Sequence, residues 1–434
     1  MPFRTRGVGQ YSDGNDAYPV SGGCWYEAMA YADWAGKRLP TLFHWNQVAL
    51  TWASGEIIPL SNLRGDGLAP VDSLEAMHRN GVYGMAGNVR EWVYNATSDE
   101  RKRFILGGGW NDEPYAFNDA YAQSPWDRSP SNGFRCIRYG SAEDETTELT
   151  RNIEQPFRDF YSETPASDET FAIWLKQYDY DATPLNAKIE ARDEYEDWTR
   201  ETITFDAAYG NERMMAYLFV PRTAAAPFTA VVNFPGSNAI HTESSANRDG
   251  HSFDFLLKSG RAVMLPIYKG TYERGDDLRS DYPEETNFYK EHVIMWAKDL
   301  SRSIDYLETR EDIDLQRLAY YGTSWGGALG AILPAIEERI KINVLYVAGL
   351  GFQRALPEVD QVNYVSRVTV PTVMINGEFD FFFPVETAQK PLYDLLGTPD
   401  EDKRYVVYPG SHAVPRRELI KEVLAWLDRY SESS

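Results

Sequence analysis

The sequence has 434 residues, 43% hydrophobic and 25% charged, with 28 Tyr and 12 Trp, a composition that excludes a disordered chain and supplies large cores. Its 65 acidic residues against 43 basic ones give a formal charge of -22, which disfavours nucleic acid and leaves a neutral or cationic small molecule as the easier partner. Two cysteines, Cys24 and Cys136, exclude a disulfide scaffold and a cysteine-rich metal site while leaving one disulfide open.

The opening "MPFRTRGVGQYSDG" carries no apolar signal segment and reads like a cut into a longer polypeptide. No apolar run approaches the roughly 18 residues of a membrane-spanning helix, so a cytoplasmic protein without membrane contact is expected. Glycine- and tryptophan-rich segments follow in short irregular pieces: "PVSGGCWYEAMAYADWAGKRLPTLFHW", "GVYGMAGNVREWV", "FILGGGW" and "SNGFRCIR". In this order and wording they resemble the formylglycine-generating-enzyme-like domain, a variant of the C-type-lectin fold, with its earliest strands missing. The resemblance implies a small irregular α+β domain over residues 1–140. It does not carry the family's oxidative chemistry, which needs a copper-binding cysteine pair shortly after the segment matching "GGGW", where this chain reads "NDEPYAFNDAYAQS". Cys24 and Cys136 are expected in the core, Cys136 in a last strand. A calcium site of the family uses the stretch matching "GMAGNVRE"; Glu91 persists, but Gly84 stands where the first side-chain ligand belongs, and no metal is expected. A structural and recognition module that walls the substrate cleft is the expected role.

Residues 141–200 form an expected connector. It begins with the acidic run "GSAEDETTELT", Gly140 to Thr150, and continues as "FRDFYSETPASDETFAIWLKQYDYD". That second stretch holds more aromatics than a flexible spacer tolerates in water, so they are expected to pack, some on each flanking domain, giving a rigid unit.

From Glu201 to the end at 434 the rhythm changes. Apolar runs such as "MMAYLFV", "FTAVVNFP", "AVMLPIY", "LAYYG", "INVLYVAGL", "PTVMING" and "RYVVYP" alternate with helical stretches. Such strands imply a doubly wound, mostly parallel α/β sheet covered on both faces. In "FYKEHVIMWAKDLSRSIDYLETR", Val293, Met295, Trp296, Leu300, Ile304 and Leu307 form the apolar stripe of one covering helix. His292 on that helix is expected to be solvated or capping.

Within this region "LAYYGTSWGGALGAIL" is an apolar strand that breaks on Gly322, exposes Ser324 and resumes as a small-residue helix, the pattern of a nucleophile elbow. Gly-x-Ser-x-Gly alone arises by chance in roughly one chain in seven of this length, so the partners decide. A serine nucleophile needs a base and a carboxylate to orient that base, in the chain order Ser, acid, His. His412, in "GSHAVP" after the strand "RYVVYP", is the sole histidine after Ser324. Between them "VPTVMINGEFDFFFPVE" offers Asp380 after a glycine turn, with Glu378 and Glu386 as rivals. An oxyanion hole takes one amide from Trp325 and another from the loop "FPGSNAIH", where Pro235 has no N–H and Ser237 is preferred to Gly236. Tyr268, opening the loop "YKGTYERGDD", and Phe381 are candidates to line a pocket, whereas His241 and His251 are read as surface residues.

"GTSWGG", "NGEFDFFFP", "GSHAVP" and "FPGSN" make residues 160–430 resemble the α/β-hydrolase superfamily, particularly its dienelactone-hydrolase and acetyl-xylan-esterase branches. The resemblance implies hydrolysis of a small-molecule ester through an acyl-enzyme, without a cofactor. Peptidases of the prolyl-oligopeptidase type share the elbow and acid loop, but no β-propeller repeat precedes the domain here. A non-catalytic scaffold module and such a peptidase are the alternatives. The two-domain order resembles the last parts of bacterial proteins that join a protein kinase, such a domain and a hydrolase.

Overall fold

The computed structural model describes residues 16–78, 81–118, 120–140, 147–154 and 158–431. The opening dozen residues and positions 141–146 of the acidic run lie outside the described residues. The chain divides into two compact units. One is Met1–Phe157 together with Gly377–Val385 and Pro409–Ala413; the other is Arg158–Asn376, Glu386–Tyr408 and Val414–Ser434.

In the first unit the helix Trp25–Trp34 buries Trp25, Ala28 and Ala32 at helical spacing. The helix Leu42–Ala49 starts on Thr41, whose hydroxyl accepts the His44 N–H, and buries Trp45 and Ala49 one turn apart. Four strands follow: β1 (Arg90–Ala96), β2 (Arg103–Leu106), β3 (Ala122–Gln123) and β4 (Asn132–Gly133), in the order β3-β2-β1-β4. Strand alternation sends Val93 of β1 into one apolar cluster, with Trp45 and Phe104, and Trp92 into another, with Trp25 and Leu39. Both cysteines are free. Cys24 is buried as expected, but Cys136 is half-buried and lies beyond β4 rather than in a strand; burial still pushes its thiol pKa up.

The second unit is built on nine strands: β5 (Lys188–Glu194), β6 (Trp198–Asp206), β7 (Arg213–Pro221), β8 (Phe228–Phe234), β9 (Ala262–Pro266), β10 (Ile313–Thr323), β11 (Ile342–Tyr346), β12 (Thr372–Gly377) and β13 (Lys403–Tyr408). Their order is β13-β12-β11-β10-β8-β9-β7-β6-β5. Pairing is parallel from β9 through β8, β10 and β11 to β12, as expected of a doubly wound sheet. At the other side β5, β6, β7 and β9 pair antiparallel, because short turns join the first three and leave no room for a crossover.

Period-two alternation assigns each central strand to two cores. Ala230 and Val232 of β8, Met264 of β9 and Tyr320 of β10 face one cluster; Val231, Val263 and Tyr321 face the other. The first face is covered by the helix Asn287–Glu308 through Val293, Trp296, Leu300, Ile304 and Leu307, at steps of three and four. Met295, counted in that stripe from sequence, is only half-buried. His292 is also corrected: it is buried, with Nδ1 on the Phe288 carbonyl at 2.9 Å and Nε2 on Asp276 at 3.0 Å, so it knits a loop to the helix instead of facing water. The helix Arg416–Ser431 covers the opposite face with Leu419, Val423, Trp426 and Leu427. Phe160, Phe171 and Tyr178 of the aromatic stretch join the first cluster. Arg158, almost fully buried, ties that stretch down by pairing with Asp360 at 2.7 Å and Glu163 at 2.8 Å.

Candidate active site

Ser324 sits between the end of β10 and the helix Trp325–Leu329 at φ 55° and ψ -111°, a backbone strain that a non-glycine residue holds only where the surroundings enforce it. Its N–H donates to the Tyr346 carbonyl of β11 at 2.9 Å, and its carbonyl accepts the Ala328 N–H at 2.8 Å. The glycines of the motif are there for closeness. A Cβ on Gly322 would lie 2.2 Å from the Gly326 carbonyl oxygen, and one on Gly326 would lie 2.3 Å from that of Phe234. The chain therefore packs a sharp strand-to-helix turn against β8 with the serine at its tip.

The loop after β8 runs beside that tip: a Cβ on Gly236 would stand 3.5 Å from Ser324 Cβ. Ser237 opens a short turn of 3-10 helix, Ser237–Ala239, immediately after it. Trp325 is buried, its ring edge-on to Phe234 at 4.9 Å and to Trp296 at 4.8 Å, which pins the residue that follows the serine. Tyr268 is a correction. It is wholly enclosed, stacked on Phe234 at 4.0 Å with its hydroxyl on the Asn233 carbonyl, and offers no surface for a pocket.

Asp380 and His412, the acid and base expected from sequence, lie in the first unit. Asp380 has a side chain with no solvent exposure. Its Oδ1 accepts the N–H groups of Phe382 at 2.9 Å and Phe383 at 3.1 Å, and its Oδ2 contacts His412 Nδ1 at 2.8 Å. The rivals are engaged elsewhere: Glu378 pairs with Arg64 at 2.6 Å, and Glu386 pairs with Lys390 one helical turn on. Gly377 lets the two loops touch, since a Cβ there would lie 2.6 Å from the Gly410 carbonyl oxygen. Phe381, chosen from sequence, stacks obliquely on Phe382 at 4.1 Å. Phe382 and Phe383, which that reading passed over, place their rings 4.7 Å and 5.9 Å from the His412 ring. The run "FDFFFP" held that signal, but it does not say which of three adjacent rings faces the histidine. His241 and His251 are exposed, as read.

Metal chemistry of the small domain finds no fit. Glu91 is saturated by the Trp45 indole N–H at 2.8 Å and by Arg135 at 2.6 Å, and Gly84 brings no side-chain oxygen, so the residues present do not suit calcium. The stretch 111–124 contains no cysteine for copper.

Residues 175–434 match the model of the PET hydrolase-like family. The chain belongs to that family. Residues 2–140 of this PET hydrolase-like protein match the sulfatase-modifying factor enzyme 1-like domain. The inactive Cα-formylglycine-generating enzyme 2 of Bos taurus is 29% identical over 150 residues, 27% of this chain and 50% of that protein. A cutinase of Thermobifida alba is 31% identical over 191 residues, 39% of this chain and 59% of the cutinase. The chain thus spans half the length of the first relative and little more than half of the second. Among solved structures, an acetyl xylan esterase from Paenibacillus sp. R4 is 16% identical with a TM-score of 0.46, covering 62% of this chain and 96% of that one. The C-terminal part is an esterase-like α/β-hydrolase domain, preceded by a smaller formylglycine-generating-enzyme-like domain. Among the described residues no helix is long and apolar enough to cross a membrane.

Proposed function

We propose that this esterase-like hydrolase cleaves carboxylic esters of small molecules through an acyl-enzyme on Ser324. The strained backbone of Ser324 at the end of β10 carries the reading, because such strain costs stability and is retained where it presents a nucleophile. His412, with Nδ1–H directed at Asp380, has Nε2 as its basic nitrogen. In the proposed first step Nε2 takes the Ser324 proton as Oγ attacks the ester carbonyl, and Asp380 stabilises the imidazolium. The N–H groups of Trp325 and Ser237 receive the oxyanion, a role supported by the path of the Gly236 loop beside Ser324. The imidazolium then protonates the departing alcohol, and water repeats the sequence on the acyl-enzyme.

The same reading assigns residues 201–434 to catalysis, 141–200 to a connector packed on the hydrolase and 1–140 to a partial formylglycine-generating-enzyme-like module without copper chemistry. The burial of Phe160, Phe171 and Tyr178 in the hydrolase core supports the connector's place. The test is turnover of p-nitrophenyl acyl esters and peptide anilides by the wild type and by Ser324→Ala. Ester turnover that falls on the order of 10⁶-fold in the variant, with anilides inert, is expected. Ester turnover that survives Ser324→Ala, or faster cleavage of anilides, contradicts it.

A further inference from the structure

Residues 377–385 and 409–413 belong by chain position to the hydrolase, yet they pack in one compact unit with the small N-terminal domain. The anchoring falls on the residues that immediately precede the acid and the base. The carbonyl of Phe379, next to Asp380, accepts two side-chain donors from the N-terminal domain: Ser54 Oγ at 2.9 Å and Asn118 Nδ2 at 2.8 Å. Ser54 is completely buried, and the Phe379 ring is buried in the apolar cluster of Trp45, Ile57, Ile58, Met85 and Phe117. The Phe379 N–H donates to the Gly410 carbonyl at 2.8 Å, which ties the Asp380 loop to the His412 loop. On the base side Gly55 lies against Ser411, next to His412: a Cβ on Gly55 would come 3.3 Å from Ser411 Oγ and 3.4 Å from its N. The Arg64–Glu378 pair adds a half-exposed contact that salt screens.

We propose that Ser54 and Asn118, with the Gly55 backbone, are positioning residues by which the formylglycine-generating-enzyme-like domain sets the geometry of the Asp380–His412 pair. The inference rests on the reading of that pair as acid and base. Two donors on one carbonyl fix both the depth and the orientation of the peptide plane from which Asp380 projects, and errors near 1 Å in such groups lower rates about 100-fold. A domain without its family's oxidative chemistry thereby acquires a part in ester hydrolysis.

The test uses the full chain carrying Ser54→Ala together with Asn118→Leu. Two quantities are read: the low-field NMR resonance of the His412 Nδ1 proton, assigned by its loss in His412→Gln, and the separate kcat and KM for a p-nitrophenyl ester. The expected result is a resonance that shifts upfield or broadens and a kcat lower by about 10- to 100-fold with KM little changed, while circular dichroism matches the wild type. A resonance and a kcat that both match the wild type overturn the proposal. Should the double variant not fold, Ser54→Ala alone, which keeps the Asn118 donor, is judged by the same two readouts. A wild type without ester turnover sinks the esterase reading, and the resonance still decides the positioning claim.

Discussion

Asp380 divides its carboxylate between two tasks, one oxygen held by backbone N–H groups and the other against the imidazole of His412. Asp380→Asn keeps the shape but presents an amide where a carboxylate must hold Nδ1–H, and kcat is expected to fall on the order of 10⁴-fold with the fold intact. Glu378→Gln releases only a half-exposed Arg64 and is expected to matter far less; pre-steady-state kinetics on the two variants ranks them, and the reverse order moves the acid. The contrast between these carboxylates was legible in the sequence, because the glycine turn and the following "DFFFP" place Asp380 where a strand has just ended. Tyr268 was not legible. A tyrosine at the start of a loop reads as pocket lining, and only the stacking on Phe234 shows that it belongs to the core.

The helix Asn287–Glu308 begins on Thr286, whose hydroxyl accepts the Tyr289 N–H, and buries one continuous stripe. Leu300→Ala removes a fully buried side chain from that stripe and is expected to cost about 2–5 kcal/mol in denaturant unfolding. The stripe itself was readable because helical period and burial coincide. The burial of His292 was not, since it depends on Asp276, distant in sequence. The aromatic connector gives a test in pH. Hydrogen bonds from Arg158 hold the Glu163 carboxyl below its ordinary value, so the contribution of Glu163 is present above the unfolded carboxyl value near ~4.3 and is lost as pH falls through the lower folded one. Glu163→Gln is therefore expected to destabilise at pH 7 and to approach the wild type as pH falls below about 4. Urea unfolding at both pH values checks it, and an equal deficit at both refutes the ion pair. The antiparallel edge from β5 to β7 escaped the sequence reading for two reasons: β5 is polar and exposed and gives no strand signal, while the apolar run "MMAYLFV" of β7 is as buried as a parallel strand, and burial does not reveal strand direction.

For the whole molecule, the charge of -22 and the Gly-x-Ser-x-Gly pattern were visible at once, while the grouping of the Asp380 and His412 loops with the N-terminal domain was not. Nothing in "NGEFDFFFP" or "GSHAVP" announces Ser54 or Asn118 as a partner, because those contacts join residues hundreds of positions apart and each uses a backbone carbonyl that any sequence supplies. Since Glu91 is occupied by Arg135 and Trp45, dialysis against EDTA is expected to leave ester turnover nearly unchanged; a loss restored by calcium contradicts that assignment. The central claim, a serine nucleophile at Ser324, is tested most directly by treating the intact protein with a fluorophosphonate and mapping the adduct by mass spectrometry. The account predicts a single adduct on the Ser324 peptide, absent from Ser324→Ala. No adduct, or one that persists in the variant, contradicts it.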